Sequence, residues 1–183
     1  MHYTVMQIPA LDRQPVTPVV RAAFRRTQWV WEHEVGAFFQ RLQDPALHWR
    51  PGPGRTIAQI LIHIGSVVWY YQDALHAGLG ARVPAPTWGE PYGEEWRAYY
   101  DEAFYVHHGR PWYEEFLTRS YASYMGVLSA VNDGDLDVVC ATRDDKRRTV
   151  EWILQQVPGH TDYHIGQVNY IHGRYEETLA ARA

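Results

Sequence analysis

The chain of 183 residues holds a single cysteine, Cys140. No intrachain disulfide can form, and a metal cage of several thiolates is excluded. Neither sign of charge is in large excess: 17 Lys and Arg stand against 21 Asp and Glu, a net charge of −4. Domains that grip nucleic-acid phosphates usually present a basic face, so no nucleic-acid partner is expected. Two short basic clusters, Arg21–Arg25–Arg26 and Lys146–Arg147–Arg148, read as solvated faces, the second offset by Asp144 and Asp145. No apolar run approaches the roughly 18 residues that span a bilayer, so no membrane partner is expected. The opening Met1-His2-Tyr3-Thr4-Val5-Met6-Gln7 lacks a basic segment followed by an apolar one. No signal peptide is therefore expected, and a cytoplasmic location is the default.

Aromatic residues, by contrast, are abundant, with 8 Trp and 13 Tyr. Large rings fill cores and also line cavities and interfaces. The length suits one domain better than two small ones. Residues 1–16, with Pro9 and Pro15 and no clear period, read as an extended lead-in to a single domain over 17–183.

Periodicity within that domain is helical. Thr17-Pro18 opens a first helix, and Val20, Phe24, Val30, Trp31, Val35, Phe38, Phe39 and Leu42 recur at helical steps to about Gln43, where Asp44-Pro45 ends it. Trp49 to Gly54, broken by two prolines and two glycines, cannot be helix. Thr56, with Gln59 three residues on, forms a capping box for a second helix that is apolar on most sides and ends near Gly78–Gly80. A long irregular segment follows to Gly93, then a short aromatic helix over Glu94 to His107. Pro111 opens a third long helix, stopped by Asn132-Asp133-Gly134. The β-branched stretch Leu136 to Thr142 and the turn-like Arg143-Asp144-Asp145-Lys146 suggest a short hairpin. Thr149 caps the last helix, in which Pro158-Gly159 predicts a kink beside His160. The fold class is therefore all-α: a four-helix bundle with crossover loops and a short hairpin before the last helix.

Three histidines carry chemistry. His160 and His164 lie at i and i+4, a spacing that projects both imidazoles from one helical face. That spacing is weak evidence by itself, and the zincin pattern is excluded because Thr161 stands where that motif requires Glu. His63 sits inside Ile60-Leu61-Ile62-His63-Ile64, a run that should be buried, and a buried imidazole needs a partner. Two readings stand side by side: a three-histidine metal site, or neutral core histidines bonded to carbonyls or hydroxyls. Ser66 and Tyr70 follow His63 at helical spacing and are candidate pocket-lining groups, while Asp162 should point away from the pair. His33, His107, His108 and His172 read as surface or packing residues.

The phrase His160-x-x-x-His164-x-Gly166-Gln167 resembles the hallmark of the DinB/YfiT-like metalloprotein family, as does Trp49 leading through a Pro/Gly turn to Thr56-Ile57-x-x-Ile60-Leu61-x-His63. The resemblance spans about residues 18–172. It implies a four-helix bundle holding one divalent cation, commonly zinc or nickel, through His63, His160 and His164, with Gln167 and Gly166 in packing or supporting positions. It also implies a metal-dependent enzyme acting on a small-molecule substrate. The first expectation is a thiol-dependent S-transferase or related transferase using a low-molecular-weight thiol. A metal-dependent hydrolase and a non-catalytic, metal-stabilised homodimeric binding protein are the alternatives. The aromatic segment from Trp88 to Trp112 is expected to close over an apolar substrate.

Overall fold

The computed structural model describes residues 17–86 and 108–182. The lead-in over 1–16, most of the irregular segment, and the expected helix over 94–107 lie outside the described residues.

Helix α1 (Pro18–Trp29) passes through a π-helical turn (Val30–Val35) into α2 (Gly36–Arg41). The helix ends at Arg41 rather than near Gln43, and Pro45 gives the reason. Proline clashes with the carbonyl four residues before it and has no N–H, so the helix cannot pass through it. It can open a new helix, and the short α3 (Asp44–Leu47) starts there. The cap of α1 also differs from expectation. Thr17 is the N-cap residue, but its side chain makes no capping bond. Asp133, from the turn after the third long helix, accepts from the Val19 and Val20 amides at 3.1 and 3.0 Å, while the Asp133 amide donates to Thr17 Oγ1 at 3.0 Å.

Helix α4 (Ile57–Leu79) starts with the expected capping box: Gln59 N–H donates to Thr56 Oγ1 at 3.2 Å and Thr56 N–H to Gln59 Oε1 at 2.9 Å. Caps of this kind typically contribute about 1 kcal/mol. Ile57, Ile60, Leu61, Ile64, Val68 and Leu75 are buried. The stripe Gln59, His63, Ser66, Tyr70 and Asp73 is only half-buried. Helix α5 (Arg110–Leu128) runs parallel to α4: Gly65 faces Phe116, and Arg82 just past α4 pairs at 2.8 Å with Asp135 just past α5. Two consecutive parallel helices require a long return connection, which is the crossover.

Strands β1 (Val139–Ala141) and β2 (Arg147–Thr149) form the hairpin, antiparallel with Cys140 opposite Arg148. Its turn is anchored on α4: Arg143 bonds Asp73 at 2.7 Å and Tyr70 donates to Asp144. Asp145 takes the left-handed conformation (φ 59°) that a short polar side chain tolerates. Helix α6 (Val150–Ala180), capped by Thr149 Oγ1, runs antiparallel to α4, with Trp152 beside Tyr71 and His160 beside His63. Its buried stripe is the expected one, including Val150, Ile153, Leu154, Val157, Ile165, Val168 and Ile171. The helix continues through Pro158 over all 31 residues.

Position 65 sets how closely α4 approaches α5. A Cβ on Gly65 would lie 2.3 Å from Phe116 Cε1, and Phe116 is itself held edge-on by Trp69 and stacked on Trp112. We expect Gly65→Ala to destabilise the fold by about 1–3 kcal/mol, as overpacking does, measured by urea denaturation. An unchanged midpoint would show that the helices separate freely.

Candidate metal centre

The site lies where α4 and α6 cross. His63 projects from the half-buried stripe of α4; His160 and His164, one turn apart, project from α6. His160 Nε2 lies 3.2 Å from His63 Nε2 and 3.1 Å from His164 Nε2. One ligand nitrogen from each residue falls within 4.8 Å of the other two. His164 is nearly buried, at 8 % exposure, and the other two are half-buried.

The protonation pattern follows from the surroundings. Burial, then the neighbouring His164, then the positive charge of Arg55 lower the His63 pKa to about 4. Burial, His164 and His63 lower His160 to about 3. Burial also lowers His164, with Arg55 acting in the same direction and the Gln167 hydrogen bond opposing. All three imidazoles are neutral at pH 7. His164 Nδ1 lies 2.7 Å from Gln167 Oε1, an acceptor, so Nδ1 carries the proton and donates it. The Nε2 of His164 therefore presents a bare lone pair toward the other two rings. Gln167 is held in turn, its amide nitrogen donating to Tyr163 Oη at 3.0 Å.

Neutral nitrogens converging at just over 3 Å are a poor arrangement for mutual hydrogen bonding, because a neutral imidazole brings only one N–H. They suit a shared cation: two nitrogens each about 2.0–2.1 Å from a tetrahedral metal lie roughly 3.3 Å apart. The cluster fits a divalent metal ion. Among the described residues the ligating group contains no carboxylate and no thiolate.

The remaining candidates divide. Gln167 orients His164 as described. Ser66 Oγ, three residues past His63, is buried and has no hydrogen-bond partner among the described residues. Tyr70 is turned to the hairpin, where its hydroxyl donates to Asp144; burial and that bond push its pKa up to about 12, so it remains a phenol. Gly166 and Asp162 are exposed. His33 is exposed and tilts against Trp29. His172, a candidate for solvent exposure by its position two turns past His164, is instead buried at 7 %, its ring edge-on to Phe38. The α2 helix covers that side of α6, a contact that periodicity on α6 alone does not reveal. His108 stacks on Trp112 with centroids 4.1 Å apart, and His107 lies outside the described residues. Of the aromatic segment proposed as a lid, Trp112 is described and packs against the core; residues 88–107 lie outside the described residues.

Folded-state pKa values below the ordinary histidine value mean that the unfolded chain binds more protons in the intervening range, so stability falls with falling pH. The window opens near 6.5 and extends to about 4 for His63 and about 3 for His160. We expect the metal-free protein to lose thermal stability as pH drops from 7 to 4.5, and His63→Gln/His160→Gln to flatten that slope. Equal slopes in the two proteins would refute the assignment.

The comparisons with known proteins agree with this geometry. No curated protein and no solved structure is significantly similar to the chain. The family model for the DinB superfamily matches residues 26–168, which include His63, His160, His164 and Gln167. The helical bundle, the crossover and the three-histidine cluster on its second and last long helices agree with that match, and the chain belongs to the DinB superfamily.

Proposed function

We propose that the protein is a divalent-metal-dependent transferase that ionises a small thiol and delivers its sulfur to an electrophilic small molecule. The observation that carries the reading is the convergence of three neutral imidazole nitrogens with no carboxylate in the ligating group among the described residues. Zinc or nickel suits such a donor set. When bound, a divalent cation with its charge uncompensated by ligands lowers the pKa of a coordinating thiol or water.

The described residues favour the thiol. Hydrolysis by activated water is assisted by a side-chain base that takes and returns protons. Asp162 is exposed, and Tyr70 is a protonated phenol already donating to Asp144. A thiol is intrinsically far more acidic than water and gives up its single proton to solvent on ionisation, so it needs no such base. In the transfer the sulfur forms its bond to carbon as the leaving group departs with the bonding pair. His63, His160 and His164 hold the cation; Gln167 fixes the His164 tautomer; Ser66 Oγ supplies a hydroxyl one turn from His63.

A second reading, a non-catalytic homodimer stabilised by metal, draws on Tyr163 and Tyr170. They are 64 % and 69 % exposed and two turns apart on α6.

Elemental analysis of untagged protein should find about one zinc or nickel per chain, absent from His63→Ala and His164→Ala. Thiol consumption with a panel of electrophiles should disappear with chelator and return with metal. Metal binding without thiol turnover would favour the dimer reading, and the lack of any bound metal would sink both. Gln167→Leu should keep the fold and weaken metal binding by about 10–100-fold, the usual cost of losing a hydrogen bond behind a ligating histidine, measured by competition with a chromogenic chelator.

A further inference from the structure

The outward side of α6 is a face that the described residues leave open. Trp152, Tyr163 and Tyr170 are 37 %, 64 % and 69 % exposed. Gly159, Gly166 and Gly173 stand among them, and a Cβ built on any of the three would meet nothing within 4 Å. Along the helix, Trp152, Gln156, Gly159, Tyr163, Gly166, Tyr170, Gly173 and Glu177 advance by alternate steps of four and three. That spacing holds residues on one side of a helix, and it is the spacing by which two helices interlock. Within the stripe, Tyr163 and Tyr170 are seven apart on one line, and the three glycines are seven apart on the line beside it. A glycine inside a helix costs stability relative to alanine. Among the described residues, nothing lies close enough to these three glycines to require the missing side chain.

We infer that a second copy of this chain docks on this face, with its α6 antiparallel to the first. The face complements itself in that direction. Antiparallel helices lay the tyrosine line of each copy over the glycine line of the other, ring into hollow. With Tyr163 of each copy on Gly166 of the other, Tyr170 falls on Gly159 and Gln156 on Gly173. Parallel helices would set tyrosine on tyrosine and hollow on hollow. Charge agrees, because Arg147 and Arg148 flank the start of α6 while Glu176 and Glu177 lie near its end. Antiparallel pairing brings these opposite signs together, and Arg148 already lies over the Trp152 ring at 4.7 Å. Tyr163 is held before pairing: its Oη accepts from Gln167 at 3.0 Å and its ring lies 5.0 Å from that of His164. Little side-chain freedom is then lost on docking. The stripe from Trp152 to Gly173 is about 32 Å long. A helix pair of that length buries on the order of 1,000 Å² in total, near the lower bound for specific interfaces, so the dimer should dissociate in the micromolar range. The pairing uses none of the three histidines and needs no metal, which separates it from a dimer stabilised by metal.

Sedimentation equilibrium of the full chain, with chelator and with zinc, tests the pairing. A monomer–dimer equilibrium of about 1–50 µM Kd is expected in both conditions. Tyr170→Ser and Gly173→Gln should each raise that Kd at least about tenfold. Trp29→Ser, which removes a 50 % exposed ring from α1, should leave it within about twofold. Gly173→Gln carries its own control on folding. Open space lies beside position 173 and glutamine is the better helix former, so the dilute variant should unfold at higher urea than wild type while pairing less well. For the direction, chains with Gln156→Cys are mixed with chains with Gly173→Cys and a short bismaleimide, Cys140 being buried. Links between unlike chains are expected, and links between like chains only would overturn the antiparallel arrangement. A chain that stays monomeric to about 100 µM, or a Kd unmoved by Tyr170→Ser and Gly173→Gln, overturns the pairing and leaves the face to a different partner. A dimer found only with zinc overturns it in favour of one held by metal.

Discussion

Three imidazole nitrogens meeting between two antiparallel helices are the constraint on which the rest depends. Neutral imidazoles just over 3 Å apart gain little from one another, so packing elsewhere must hold them. Two contacts set that packing. Gly65, two residues from His63, allows α4 to lie against Phe116 of α5 without a Cβ between them. On the other side, the apolar stripe of α6 fixes the rotation of that helix, and with it the direction of His160 and His164. The Gln167 bond then chooses the His164 tautomer. Helix burial supplies the placement, and one amide oxygen supplies the polarity.

The hairpin belongs to the same arrangement. It joins the end of α5 to the start of α6, and its turn is fastened to the stripe of α4 by Tyr70–Asp144 and Arg143–Asp73. Cys140 packs so closely on Gly78 that a Cβ there would sit 2.4 Å from its sulfur. Buried in this way, with burial pushing its pKa up, the lone thiol is a packing group rather than a nucleophile. The hairpin therefore closes one end of the seam with a protonated phenol.

Local signals in the sequence were sufficient for most of the frame. The Thr56–Gln59 box, the Thr149 cap, the proline start of α5 and the β-branched hairpin each depend on residues within a few positions of one another, and each stands where the pattern puts it. The histidine cluster was legible for a different reason. A histidine amid isoleucines and a pair at helical spacing are local patterns, while their meeting depends on helix order, which the family motif supplied. What stayed hidden was contact between distant segments. Asp133 capping α1, α2 covering His172, and Asp144 capturing Tyr70 join residues 74 to 134 positions apart. Pro158 stands inside α6 without ending it. Proline withdraws one N–H from the ladder, but a helix packed along one whole side can lose one bond and continue, and α6 does so.

The same constraint bears on the chemistry. A carboxylate among the ligands would offset the cation's charge, raise the pKa of whatever binds it and provide a base for water. Three imidazoles do none of these. Protons are already disfavoured on His63 and His160 by burial and by their neighbours, so a cation meets little competition near neutral pH. Imidazoles placed in advance by helix packing and by the Gln167 bond need no rearrangement when a cation binds, so little of the binding free energy is lost to ordering them.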